Sequence, residues 1–182
     1  MIFTKTELNG VYILTPRIFT DTRGYFFESY NQSEFEKEGL KYNFVQDNQS
    51  FSSYGTIRGL HFQTGEHAQA KLVRVISGEV LDVAVDIRKS SPTYGQHVAV
   101  RLSGENQKQL LIPRGFAHGF SVLSKTAVFA YKCDNFYCHE AEGGLCVNDP
   151  ALGIDWQIDM SQANVLERDL NHPLLKDLNS CF

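Results

Sequence analysis

Nowhere does this sequence approach the run of roughly 18 apolar residues that would suggest a membrane-spanning helix. Its first eight residues, Met1-Ile2-Phe3-Thr4-Lys5-Thr6-Glu7-Leu8, carry no apolar stretch and no small-residue cleavage site, so no secretory leader is expected and the cytoplasm is the default location. A basic excess is missing too. Seventeen Lys and Arg against 21 Asp and Glu leave a net charge of −4, which offers no broad positive field to nucleic acid or an anionic membrane. A few arginines and lysines inside one pocket would still suffice for an anionic small molecule. The four cysteines, Cys133, Cys138, Cys146 and Cys181, lack the spacing of a zinc ribbon or finger although three lie near His139, and they read as reduced thiols. Repeats, low-complexity tracts and Pro/Ser-rich linkers are also absent. The 182 residues, 42% hydrophobic and 21% charged, therefore suit one domain over residues 1–182, long enough to bury a core without staples.

Helical signals are few. Asn31 followed by Glu34 resembles a capping pair opening a short helix to about Glu38, and a second short helix fits within Ser161–Leu170. What recurs is short β-rich runs punctuated by Gly, Asn, Asp and Pro. The clearest are Lys71–Ile76 and Val80–Asp86, with Ser77-Gly78-Glu79 between them reading as a hairpin turn. In the second run Leu81, Val83 and Val85 share one face; Asp82, Ala84 and Asp86 share the other, which should look into something polar. Further strands are expected at Val11–Leu14, Tyr25–Tyr30, Thr56–His61, His97–Leu102, Gln109–Ile112, Gly119–Leu123 and Ala127–Cys133. The pattern predicts an all-β fold with a few short helices, a double-sheet jelly roll being the natural candidate.

Strand interiors rarely carry strong polar groups without partners or a task. Arg58, His61, Gln63, Lys71, Asp82, His118 and Tyr131 all lie in or beside expected strands. By alternation Thr56 and Arg58 share the interior, with His61 joining them if Gly59 allows a bulge. Pro113-Arg114-Gly115-Phe116-Ala117-His118-Gly119 has the Pro-x-Gly-x-x-His spacing of the second cupin motif, and Gly55 lies six residues before His61, as in the first. Where metal-dependent cupins place a second histidine and an acidic ligand, this chain has Gln63 and Lys71. A lysine in place of a carboxylate repels a divalent ion and favours an anion or oxyanion. The expectation is a double-stranded β-helix, the cupin jelly-roll barrel, with neither metal nor other cofactor.

At this point the chain resembles the dTDP-4-dehydrorhamnose 3,5-epimerases. The resemblance runs in order from about residue 10 to residue 169 through Arg23–Ser29, Arg58-Gly59-Leu60-His61-Phe62-Gln63, Lys71–Val75, Gly78-Glu79-Val80, Asp82–Arg88, Ile112-Pro113, Gly115–Phe120, Tyr131-Lys132 and Asn148-Asp149-Pro150. It implies a jelly-roll homodimer whose amino-terminal strand crosses to its partner. The implied substrate is dTDP-4-keto-6-deoxyglucose, inverted at C3 and C5 on the way to dTDP-L-rhamnose. Such a reaction needs a base on one face, a proton donor on the other and stabilisation of the enolate oxygen between them.

The resemblance assigns His61 as base, Asp169 as the carboxylate orienting it, Tyr131 as the acid and Lys71 as the cation beside the enolate. It also places Arg58 and His118 near sugar and phosphates, and Gln46, Asn48, Glu142 and Arg168 at further substrate contacts. Arg23 and Glu28 fall in the segment reaching the neighbouring subunit's nucleotide, and Tyr137 matches the aromatic stacked on thymine. Two departures stand out on what is expected to be the nucleotide side: Val147, preceded by Cys146, where the family usually has tryptophan, and the altered loop Glu140-Ala141-Glu142-Gly143-Gly144. Inversion at a single carbon, a different pyrimidine, and a non-catalytic sugar-nucleotide-binding cupin remain open alternatives.

Overall fold

A computed structural model describes residues 1–180 and 182; Cys181, read above as a reduced thiol, lies outside them. Among the described residues the strands run β1 (Ile2–Lys5), β2 (Tyr12–Thr15), β3 (Phe19–Asp21), β4 (Gly24–Phe26), β5 (Gln46–Ser53), β6 (Thr56–Gln63), β7 (Lys71–Ser77), β8 (Glu79–Asp86), β9 (His97–Ser103), β10 (Gln109–Ile112), β11 (Phe116–Val122), β12 (Thr126–Cys133), β13 (Glu142–Gly144) and β14 (Asn164–Val165). Two short helices, α1 (Gln32–Lys37) and α2 (Glu167–Leu170), accompany them. One sheet has the order β1-β2-β10-β7-β12-β5, the other β13-β6-β11-β8-β9 with β14 beside β6, and β3-β4 form a separate hairpin. This is the expected all-β jelly roll of cupin type.

Three apolar clusters follow from strand alternation. Between the sheets, Val73 and Val75 of β7, Leu110 and Ile112 of β10 and Phe129 of β12 meet Val80 and Ala84 of β8 and Phe116, Phe120 and Val122 of β11. Phe129 and Phe120 stack with centroids 4.2 Å apart, and full burial of such a side chain contributes about 1.5–3 kcal/mol. Leu81, Val83 and Val85 point the other way, against Leu145, Val147, Leu152 and Trp156 of the carboxy-terminal third. On the far side of the first sheet, Leu14, Leu72 and Leu111 are covered by Phe35 of α1.

Four expectations change. Ser77-Gly78-Glu79 is not a hairpin: β7 and β8 belong to different sheets, and Gly78, at φ +84°, turns the chain from one to the other. The Asp82–Ala84–Asp86 face is only locally polar, because Ala84 and Val80 join the central core. Tyr25–Tyr30 forms a strand only through Phe26. Asn31 does cap α1, accepting from the Ser33 amide at 3.0 Å, but Glu34 pairs with Lys37 instead of closing a capping box.

Candidate active site

One end of the space between the sheets is polar, and the same alternation that builds the core builds this end. On β7 the inward face runs Lys71, Val73, Val75; on β12 it runs Phe129, Tyr131, Cys133; on β11 it runs Phe116, His118, Phe120. Along β6 the count slips by one. Its register against β11 shifts between the His61–His118 and Arg58–Phe120 pairs. Gly59, at φ +132°, sits at this bulge; a Cβ there would stand 2.5 Å from the Gly119 Cα and 2.9 Å from the His118 carbonyl oxygen. The slip returns His61 and Gln63 to the face that carries Arg58.

His61 Nε2 lies 2.8 Å from Asp169 Oδ1, brought over by α2. The second Asp169 oxygen accepts from the Gly59 amide at 3.4 Å, and the carboxylate is almost sealed from solvent. Burial pushes that carboxyl upward, but the His61 hydrogen bond and charge, the Gly59 amide and Arg168 outweigh it and hold it below the ordinary aspartate value. An ionised Asp169 accepts Nε2–H, which leaves the lone pair of His61 on Nδ1. Burial raises the Tyr131 phenol and lowers the Lys71 amine, so at neutral pH the tyrosine holds its proton and can donate it.

A second His–Asp pair stands beside the first. His118 Nε2 lies 2.9 Å from Asp82 Oδ2, and both side chains are enclosed, His118 being 8% exposed and Asp82 0%. At the outer end Tyr137 donates to Glu142 at 2.5 Å, and Arg168 bridges Glu142 at 3.2 Å and Asp169 at 3.3 Å. Burial works to raise Glu142, yet the Tyr137 hydroxyl and Arg168 leave its carboxyl below the usual range. Gln46 donates to Asn48 at 3.0 Å and accepts from the Tyr137 amide. Gln63, in the second-histidine position of a metal cupin, accepts from the Cys138 amide at 2.8 Å and so braces the same loop.

Two adjoining cavities of about 300 and 380 Å³ share Asn48, His61, Lys71, Tyr131 and Arg168. The inner one adds Arg58, His118 and Asp169; the outer one adds Gln46, Tyr137 and Glu142. The fold thus gathers eleven of the thirteen residues to which the family resemblance gives a role. Arg23 and Glu28 are the exceptions. Arg23, 88% exposed, is paired with Asp21 on the β3-β4 hairpin, and Glu28 accepts from Asn31.

Three features escape the sequence reading. Strand β5 supplies Gln46, Asn48 and Ser50 to the cavities and Ser52 to Arg58 (3.0 Å), yet Gln46-Asp47-Asn48-Gln49-Ser50 shows no apolar alternation because both its faces are polar. His172 packs edge-on against His61 at 5.8 Å and matches no motif. Val147 is 3% exposed in the outer core, where its carbonyl accepts from the Trp156 indole at 3.0 Å. It lines neither cavity, so its departure from tryptophan is a packing change and not one on the nucleotide side.

The model of the family described as dTDP-4-dehydrorhamnose 3,5-epimerase matches residues 5–177. The dTDP-4-dehydrorhamnose 3,5-epimerase of Salmonella typhimurium is 59% identical over 157 residues, 86% of each chain. The crystal structure of dTDP-4-dehydrorhamnose 3,5-epimerase from Elizabethkingia anophelis superposes with a TM-score of 0.95 at 54% identity, covering 99% of both chains. A dTDP-6-deoxy-D-glucose-3,5-epimerase from Legionella pneumophila, in complex with dTDP-4-keto-L-rhamnose, gives 0.93 at 46% identity over 98% of this chain and 94% of that one.

Proposed function

Because the chain belongs to the dTDP-4-dehydrorhamnose 3,5-epimerase family, we propose that the cavity around His61 is where it carries out that family's reaction. The protein is an isomerase of dTDP-L-rhamnose biosynthesis. It epimerises dTDP-4-keto-6-deoxy-D-glucose at C3 and C5 to dTDP-4-keto-L-rhamnose. The observation that carries the assignment of residues is the hydrogen-bonded His61–Asp169 pair sharing one cavity with Lys71 and Tyr131.

The C4 ketone acidifies both neighbouring C–H bonds. His61, through the Nδ1 lone pair, removes the proton from one face, and the negative Asp169 stabilises the resulting imidazolium. The electron pair moves onto the carbonyl oxygen, whose developing negative charge favours the ammonium form of Lys71 against the burial that lowers it, and that ammonium neutralises the enolate in a poorly solvated setting. Tyr131 gives its phenolic proton to the carbon from the opposite face, completing inversion and leaving a tyrosinate; once His61 has released its proton to solvent and Tyr131 has regained one from it, the sequence repeats at the second carbon. No step calls for a metal ion.

Arg58 and His118 serve the sugar and phosphates, with the planar guanidinium suited to paired phosphate oxygens. Gln46, Asn48, Glu142 and Arg168 make further substrate contacts, and the exposed ring of Tyr137 stacks on thymine. We assign Arg23 and Glu28 to the nucleotide of a neighbouring subunit in a homodimer with exchanged amino-terminal segments. Neither residue lines this chain's own cavities, and the exposed Phe19, Tyr25 and Phe26 stand beside Arg23 on the β3-β4 hairpin, which supports that reading. Among the described residues no helix is long and apolar enough to cross a membrane.

The test is incubation with dTDP-4-keto-6-deoxyglucose in deuterated water, with and without chelator, following C3 and C5 by proton NMR. Chelator-resistant deuterium uptake and inversion at both carbons, lost in His61→Asn, is the expected result. Uptake at one carbon only would reduce the activity to a single inversion, and loss of turnover with chelator would overturn metal independence.

A further inference from the structure

Among the described residues, one trio of potential metal ligands converges: His61, Asp169 and His172, whose donor atoms all lie within 4.8 Å of one another. We propose that these three side chains form a reversible inhibitory site for a borderline-soft divalent metal ion, zinc fitting best. Two imidazoles and one carboxylate are donors that zinc takes at about 2.0–2.2 Å, with a fourth position left to water. Tetrahedral ligands at such lengths stand about 3.3 Å apart. His61 Nε2 and Asp169 Oδ1 are already 2.8 Å apart, His172 Nε2 is 3.9 Å from the same oxygen, and all three donors fall within 4.8 Å, so side-chain shifts of about an ångström close the set.

The third ligand is the telling one. His172 Nε2 is buried and has no hydrogen-bond partner among the described residues, which is uncommon for a buried polar atom. It is held there by packing: its ring meets His61 at 78°, and bare Gly144 makes room, a Cβ at that position falling 2.5 Å from Nε2. Burial and the neighbouring His61 favour the neutral ring, whose lone pair a metal needs. The charges around the trio are mixed. Glu142 adds a second carboxylate, whereas Arg168 sits 3.3 Å from Asp169 Oδ1 and must swing away, which its largely exposed side chain permits. Lys71 and Arg58 in the same cavity also limit affinity.

Inhibition follows from the tautomer and rests on the reading of His61 as base. Zinc on Nε2 takes the lone pair of that nitrogen, so the ring hydrogen moves to Nδ1, the atom that must accept the substrate proton. The metal is therefore an off-switch for the dyad and not a cofactor.

The experiment titrates the full-length protein with zinc by calorimetry, repeats it with cobalt to read visible d–d bands, and assays epimerisation in parallel. Wild type, His172→Asn, His61→Asn and Cys138→Ser are compared. One ion per chain, with affinity at least about tenfold weaker in His172→Asn and in His61→Asn, is expected. Activity should fall as the site fills and return with chelator, while His172→Asn stays active and resists zinc. Binding unchanged in His172→Asn, or lost only in Cys138→Ser, would overturn the proposal. A metal that binds through His172 yet leaves turnover intact would keep the site and overturn the reading of His61 as base.

Discussion

Among the described residues two histidines on adjacent strands are hydrogen-bonded to aspartates, and the two pairs are not equivalent. His61 and His118 face each other across the β6–β11 ladder, and each lies within 3 Å of a carboxylate oxygen. His118–Asp82 is locked between strands β11 and β8 and nearly sealed. His61–Asp169 joins a strand to the separate helix α2 and leaves about a quarter of the imidazole exposed to the cavity. Like chemistry in two degrees of enclosure yields two roles: the open pair can exchange protons with a ligand, whereas the closed pair fixes a wall of the cavity. The difference originates in the bulge at Gly59, without which His61 would point into the outer core.

The comparison sharpens most when the open pair is disabled. His61→Asn should lower kcat by about 10³–10⁴ with the fold intact, at the upper end of what a positioned base contributes; steady-state kinetics beside a thermal melt checks it. Next comes Lys71→Met, which removes the cation proposed to face the enolate and should cost about 10²–10³ in kcat with a much smaller change in KM. The closed pair responds differently. Asp82→Asn should destabilise the protein by about 1–3 kcal/mol in urea unfolding, because it weakens a buried pairing, and reduce kcat less than tenfold. If instead it matches His61→Asn in kcat, the two pairs are catalytically equivalent and the contrast fails.

Asp86 provides a purely structural carboxylate for reference. Burial works to raise it, but Arg88, Ser91 and Thr93 hold it at about 2. A depressed carboxyl stabilises the fold above its unfolded value near 4 and loses that contribution as pH falls toward 2. The loss should be about 2 kcal/mol across that window in wild type, and acid unfolding of Asp86→Asn should lack this component while its turnover at neutral pH is unchanged.

The sequence carries the candidate site better than it carries the strand connections. His61, Lys71, His118 and Tyr131 were legible because each interrupts an otherwise apolar strand, and the spacing around Gln63 and Lys71 removes the usual cupin metal ligands. Asp169 was legible only through family resemblance, since a charged residue in a short helix has many ordinary explanations. Strand β5 was hidden because a strand lining a polar cavity loses the alternation by which strands are recognised. Gly78 was misread because a glycine at positive φ marks a tight turn equally well whether the chain returns along its own sheet or crosses to another. His172 depends on where residues 144 and 169 lie in space, which no local pattern encodes.

The central claim is that His61 and Tyr131 work from opposite faces of one carbon. Its most direct test is Tyr131→Phe with dTDP-4-keto-6-deoxyglucose in deuterated water, with exchange and configuration read separately by NMR. With the acid gone and the base in place, His61 can remove a proton and return a deuteron to the same face. The predicted result is deuterium uptake without inversion. Inversion at the wild-type rate, or loss of exchange together with inversion in a folded variant, would contradict it.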